Sequence, residues 1–311
     1  MKSLLQTKAW ADFRVTQGWQ ADNVDGVFVL SRDLFLGKTF LYSPEVNFSE
    51  IKNIENFVEN IKKIANPPAG GKNSIFFRLE ILEEKDIKII EKLKENGFIK
   101  AFEEVQPECR QVIDISGTEE EIFSAMKEKG RYNTRIAQKK GVTVESSSNV
   151  DEFYRLFKET ADRDGFSIRP KSYFQKLLDN LGVNGYAELL EARFEGKVIA
   201  AEIVTYFDET ASYLYGASGN EFRNVMAPYL IHFEAMKKAK AKGCKYYDLL
   251  AVAPEGVEHS VLAADVHKYA GISRFKRQFG GRTVEITGGY DFVFQPFWYK
   301  LFKFLEKIRR K

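Results

Sequence analysis

Apolar positions along this chain switch between a period near two and a period near 3.6, and the switches mark alternating strands and helices. Gly26 to Leu30 and Thr39 to Tyr42 read as strands. Residues 49–64 read as a helix, with Ile51, Ile54, Phe57, Val58, Ile61 and Ile64 on one face. Residues 66–72, NPPAGGK, carry the turn chemistry of a loop. Ser74 to Leu79 predicts a strand ending at Glu80. Asp86 to Asn96 predicts a helix closed by Gly97, and Gln111 to Ile115 another strand.

The order then repeats. Thr118, with Glu121 three residues on, predicts a capped helix running to about Lys129. A short helix over Arg131–Lys140 and a strand over Val142–Glu145 follow. Val150–Asp164 and Ser172–Asn180 read as helices, and Ala187–Phe194 with Lys197–Phe207 as a hairpin turning at Glu195-Gly196. From Tyr213 to Asp248 the pattern is strand, polar turn over Gly216–Asn220, helix and strand. Pro228 stands at the first helical position, and Leu230, Phe233, Ala235, Met236 and Ala239 line one face. Gly243 ends the helix, and Cys244 to Leu250 forms the strand. Two successive units in one order predict an α+β protein with a duplicated mixed sheet and a boundary near residue 115.

Length and composition narrow the class. A chain of 311 residues is long for one core and suits two domains. With 44% hydrophobic and 29% charged residues it is an ordinary globular sequence, which excludes disorder. A net charge of +3 gives no overall argument for nucleic acid. Cys109 and Cys244 have no CxxC spacing, so neither a zinc site nor a disulfide framework is expected, and a reduced intracellular protein is. The opening MKSLLQTKAWADF has no long apolar segment, and no run approaches the roughly 18 apolar residues of a spanning helix. A cytoplasmic location is the expectation. From Pro296 the chain reads as an amphipathic helix with six basic residues and one acidic. It either docks its Phe and Leu face on the protein or lies on a membrane surface.

Several clusters could carry chemistry. Arg223, Asn224 and Tyr229 sit at a helix start, where unpaired N–H groups and the positive dipole end can hold an anion. Arg274–Gly281, RFKRQFGG, either holds phosphates or an oxyanion or is a strand end with a glycine bulge. Arg169 and Tyr173 fall one turn apart if Pro170 starts a helix. The basic run RYNTRIAQKK, Arg131 to Lys140, either meets RNA phosphates or is a solvated helix face. Glu80 either sits in a cleft with a raised pKa or caps the following turn. His232, His259 and His267 have no metal-ligand spacing and no triad partner, and His232 reads as structural.

Taken together, these stretches resemble the FemA/FemB/FemX family of aminoacyl-tRNA-dependent transferases that build peptidoglycan interpeptide bridges. The carriers are QTKAWADF…GW, KGRYNTRIAQKKGV, RDGF…R…YF, YLYGASGNEFRNVMAPYL, KGCKYYD, HKYAGISRFKRQFGG and GGYDFVFQPFWYKL, in order over nearly the whole chain. The resemblance implies two tandem GNAT-like mixed-sheet domains, the first from 1–115 and 288–311, the second from 116–287. It also implies the compact form without a long helical arm.

The implied reaction moves an aminoacyl group from its tRNA ester to an amine on the stem peptide of a UDP-linked or lipid-linked peptidoglycan precursor. Such chemistry needs a neutral amine, aligned substrates and a cation near the tetrahedral oxyanion. No cofactor or metal is implied, and a monomer is expected. By resemblance, Lys276 stabilises the oxyanion or terminal phosphate and Phe275 contacts the tRNA end. Arg169, Tyr173 and Tyr229 contact the nucleotide-sugar pentapeptide, with Tyr229 facing Lys276. Arg223 joins them as an anion contact, Arg14 matches a position that meets the diphosphate, and Glu80 matches an acidic residue for which a general-base role has been proposed. YDLLAVAPEG departs from relatives that have a Gly pair after Tyr-Asp, which predicts a bulkier wall near Leu249 and Leu250. The alternatives are an N-acyltransferase using acyl-coenzyme A, for which the Gly-rich turn is missing, and a non-catalytic RNA-binding or membrane-associated protein.

Overall fold

The computed structural model describes residues 2–66, 73–256 and 267–309. His259 and nearly all of the expected loop at 66–72 lie outside those residues. The elements, in chain order, begin with α1 (Lys8–Val15), β1 (Gln20–Val24), β2 (Val27–Asp33), β3 (Thr39–Val46), α2 (Ile54–Ala65), β4 (Ser74–Glu84), α3 (Ile87–Glu95) and β5 (Phe98–Lys100). Then come β6 (Cys109–Asp114), α4 (Glu119–Ala125), α5 (Glu128–Lys139), β7 (Thr143–Ser147), α6 (Val150–Asp164), α7 (Lys171–Leu177), β8 (Ala187–Phe194), β9 (Lys197–Phe207) and β10 (Thr210–Ser218). The last are α8 (Ala227–Ala241), β11 (Tyr246–Ala251), α9 (Ala270–Lys276), β12 (Arg282–Val293) and α10 (Pro296–Arg309).

Contacts divide the chain into two units, one of residues 109–284 and one of residues 2–108 with 285 onward. In the second of these the strands run β1-β2-β3-β4-β12-β5, all antiparallel except the parallel pair β3–β4. In the other the order is β7-β8-β9-β10-β11-β6, again antiparallel but for the parallel pair β10–β11. A helix joins each parallel pair, α2 in one unit and α8 in the other, as parallel strands require a crossover. The α+β class with two successive mixed-sheet units is therefore the observed one.

Local chemistry sets several of these elements. Thr118 and Glu121 form the reciprocal capping box that starts α4. The β8–β9 hairpin turns through Glu195 and Gly196, both at positive φ, as a primed two-residue turn demands. In the unit of residues 2–108, α2 packs Ile54, Phe57, Val58 and Ile61 against Phe77, Leu79 and Ile81 of β4. On the sheet's other side, Tyr299 and Phe302 of α10 bury against Ile75 and Phe76. In the unit of residues 109–284, α8 lays Leu230, Ile231, Ala235, Met236 and Ala239 on Leu190, Ala200, Val204 and Tyr247.

Four expectations are corrected. The helix from Thr118 stops at Ala125, because Met126 and Lys127 are extended before α5 begins. β10 runs on through Gly216, Ala217 and Ser218, so the turn begins only after it; a Cβ at Gly216 would collide with the folded-over Tyr213 ring. β4 continues to Glu84, so Glu80 lies inside a strand and caps nothing. RFKRQFGG is the end of α9 followed by a 3-10 turn, Arg277–Phe279, rather than a strand end. Its glycines have φ of +81° and +75°, and a Cβ on either would strike a backbone carbonyl, Ala125 O for Gly280 and Val112 O for Gly281.

Candidate active site

In the unit of residues 109–284, the α9 end and the α8 start bring Lys276, Phe275 and Tyr229 together. Lys276 is buried, 5% exposed, and its Nζ donates to the carbonyl of Ala251 at 2.7 Å. That carbonyl is aimed by an irregularity in β11. Leu250 adopts φ +56°, a left-handed conformation that glycine takes without strain, and its N–H donates to Asp248 Oδ1 at 2.7 Å. The departure noted at Leu249-Leu250 thus falls where the backbone itself asks for glycine. Burial pushes the Lys276 ammonium down to about 8, against the attraction of the buried Asp248 carboxylate.

An aromatic cluster lies beside this lysine. Its Nζ lies 5.7 Å from the Tyr213 ring centre. Tyr229, placed at the first turn of α8, stacks edge-on to Phe275 at 5.1 Å and meets Phe279 at 5.7 Å. The ring under the ammonium is thus that of Tyr213, and Tyr229 meets its neighbour Phe275. Arg223 is exposed on the 3-10 turn Arg223–Val225 that precedes α8. Arg169 precedes α7, whose N-cap is Pro170, and its guanidinium sits 5.5 Å from the ring centre of the buried Tyr173. The Tyr173 hydroxyl lies 3.2 Å from that of Tyr215.

Behind the aromatic wall is a buried polar cluster that the sequence pattern did not single out. Glu202 on β9, 1% exposed, approaches His232 Nδ1 at 3.0 Å, and Tyr247 Oη stands 3.2 Å from the same nitrogen. Burial raises Glu202 to about 8, and burial with the nearby Lys276 charge lowers His232 to about 3. The pair is therefore neutral at physiological pH, with the carboxylic acid donating to the imidazole. One signal was readable: Glu202 interrupts an apolar run, AAEIVTYF, at a position that must face the core. The folded-state pKa of Glu202 exceeds its unfolded value, so stability falls as pH rises from about 4.5 through about 8. Glu202→Gln is expected to melt several degrees above wild type at pH values beyond 8 and to lose that advantage towards pH 5, about the lower end of the window, in a thermal-melt series. A gap independent of pH would contradict the neutral pair.

In the unit of residues 2–108, Arg14 and Glu80 close opposite ends of one chain of contacts. The Arg14 guanidinium lies 4.6 Å over the Trp19 ring, and Trp19 meets Tyr42 at 6.3 Å. Tyr42 Oη donates to Glu80 Oε2 at 2.5 Å, while the Gln106 N–H donates to Glu80 Oε1 at 3.0 Å. Burial raises Glu80 to about 7, opposed by those two hydrogen bonds and by Arg78. The basic run on α5 is partly tied down: Arg131 Nη1 donates to Ser124 O at 3.1 Å and Lys140 Nζ to Asn224 O at 2.9 Å. Among the described residues, no group of His, Cys, Asp and Glu side chains could hold a metal ion, and no helix is long and apolar enough to cross a membrane.

Two mixed-sheet units, one carrying a buried lysine over a tyrosine ring at the end of a helix, define the architecture. The FemAB family matches residues 72–193 and 184–307, and the chain belongs to that family. It is 25% identical to a lipid II:glycine glycyltransferase of Staphylococcus haemolyticus, over 98% of this chain and 91% of the relative. That alignment spans 393 positions, more than the 311 residues present, so the relative carries segments this chain lacks. The structure superimposes on that of FemX with a TM-score of 0.82 at 22% identity, covering 96% of this chain and 94% of the other. A more distant fold likeness, TM-score 0.54 at 14% identity, is to L-PGS from Bacillus licheniformis.

Proposed function

We propose that this protein is an aminoacyltransferase of peptidoglycan bridge synthesis, forming an amide between an amino acid carried by tRNA and the stem peptide of a precursor, at the cytoplasmic side. The observation that carries the proposal is the buried Lys276 ammonium, held by Ala251 O and set over the Tyr213 ring. Support comes from family membership and from relatives named as lipid II:glycine glycyltransferases.

An aminoacyl ester is already activated, so the reaction needs little acid help. Attack of the precursor's amine nitrogen on the ester carbonyl forms the C–N bond and puts charge on the carbonyl oxygen. Collapse breaks the ester C–O bond, the tRNA leaves through its ribose hydroxyl, and the amine's proton passes to solvent or to a base. A desolvated ammonium is worth more to that oxyanion than one in water, and Lys276 serves as the cation. Phe275 offers a face for the terminal base of the tRNA. Tyr229, Arg169, Tyr173 and Arg223 contact the precursor or its phosphates, as does Arg14 in its own unit, and Glu80 orients the accepting amine.

Donor identity tests the proposal. Transfer should require charged tRNA and disappear on ribonuclease treatment; transfer from acyl-coenzyme A instead would refute it. The pH profile gives a second test. A carboxyl raised to about 7 is ionised only above that pH, and an ammonium lowered to about 8 is lost above it. The rate should therefore rise through about 7 and fall through about 8. In Glu80→Gln the acidic limb should flatten while the alkaline limb stays. An unchanged acidic limb would remove Glu80 from amine handling.

A further inference from the structure

Among the described residues, α10 has two apolar faces, and only one of them is covered. Tyr299 and Phe302 are buried on the sheet, and Tyr299 Oη donates to Asp291 Oδ2 at 2.7 Å, which fixes the helix's rotation about its axis. At about 100° per residue, Phe297, Leu301, Phe304, Leu305 and Ile308 form a separate stripe roughly 100° wide on the outer side. Phe297 is 72% exposed, Phe304 60% and Ile308 56%. Exposed Lys300 and Lys307 border the stripe on one side and exposed Arg309 on the other. A soluble helix needs only its docked face apolar, so packing among the described residues does not account for the second stripe.

We propose that α10 is a surface anchor that inserts this outer stripe among the headgroups of an anionic lipid bilayer, with Lys300, Lys307 and Arg309 meeting the lipid phosphates. The occupant follows from charge and shape. Large apolar side chains flanked by cations at the level of the helix axis match an interface that is apolar inside and negative at its surface. The stripe is too short to span and lies on a helix already held to the fold, so it rests on the membrane rather than crossing it. The inference rests on the reading that the protein acts on a lipid-linked precursor, since docking there turns a search through volume into one on a surface.

Sedimentation of the full chain with vesicles tests it without precursor or tRNA. Vesicles containing phosphatidylglycerol should bring the protein down, phosphatidylcholine vesicles should do so far less, and salt should release it. The double variant Phe304→Ser with Ile308→Ser should bind roughly tenfold more weakly or worse, with unchanged melting and unchanged transfer to a soluble UDP-linked precursor. Lys307→Glu should weaken binding to anionic vesicles only. Absence of binding to anionic vesicles at low salt would overturn the proposal, as would binding that the double variant leaves intact. A concentration-dependent dimer abolished by the same variant would overturn it in favour of a second copy of the chain. Loss of transfer activity in any assay would leave the vesicle result standing, so the two readings fail separately.

Discussion

Lys276→Met is expected to lose about 10²- to 10³-fold in transfer rate, the usual cost of removing one oxyanion partner from a water-excluded site. Met nearly matches the lysine stem in length, so the packing against Tyr213 should persist. The stability effect separates chemistry from structure. An ammonium lowered to about 8 in the fold from an ordinary 10.5 makes the folded state less stable below pH 8 than above 10.5, because the unfolded chain binds the extra proton. Removing the charge relieves that cost at neutral pH. The variant should therefore melt no lower than wild type at pH 7, apart from the small penalty of leaving Ala251 O without its donor. Steady-state transfer assays with melting curves on the same preparations check both points. Wild-type turnover would exclude Lys276 from the chemistry, and a large fall in melting temperature would make it structural.

Asp291→Ala is expected to produce the largest loss of stability, on the order of 3–5 kcal/mol. Asp291 is fully buried on β12 and grips Arg78 of β4 in a two-pronged pair, Nε to Oδ1 at 2.7 Å and Nη2 to Oδ2 at 2.8 Å. Glu103 Oε1 takes a third guanidinium hydrogen at 3.0 Å. Desolvation alone would lower the Arg78 pKa, but these carboxylates raise it well above its ordinary value. Taking Asp291 away leaves a guanidinium 2% exposed with one carboxylate for company, and it also frees Tyr299 of α10. A thermal melt should fall by about 10 °C or more. A change under about 1 kcal/mol would mean that Arg78 finds water when its partner goes. The same variant should loosen α10 and so weaken vesicle binding, a coupling that a purely exposed helix would not show.

The periodic elements were legible because local chemistry and tertiary packing agree there. The helix over Val150–Asp164 and the hairpin about Glu195-Gly196 lie where the pattern placed them, each bounded by a residue with one structural meaning. What escaped were elements whose sequence mixes signals. β12 holds glycines at Gly288 and Gly289, which weaken a strand pattern although pairing with β4 and β5 holds it in the sheet. α9 is seven residues ending in a basic, aromatic run, too short for a helical period to declare itself. The strand expected to end at Glu80 runs on to Glu84, because β4 carries apolar side chains on both faces and passes straight through the acidic residue, whose pKa is raised as one of the two readings held.

Of the site, Lys276, Phe275 and Tyr229 were singled out in the sequence, and the fold gathers them through α8 and α9. The Glu202–His232–Tyr247 cluster was not, since its three residues come from β9, α8 and β11 and nothing local links them. The contacts from Arg14 through Trp19 and Tyr42 to Glu80 are equally non-local. Periodicity reports which face of an element is buried. It does not report which buried polar groups meet.

Mass spectrometry of the stem peptide after incubation with mixed charged tRNAs tests the central claim most directly. The peptide, presented on lipid-linked and UDP-linked precursors to the full chain, should gain the mass of at least one amino-acid residue on an amine, with ribonuclease-treated donor giving no product and Lys276→Met giving only a trace. An unmodified stem peptide with every charged tRNA of the source organism would contradict the account.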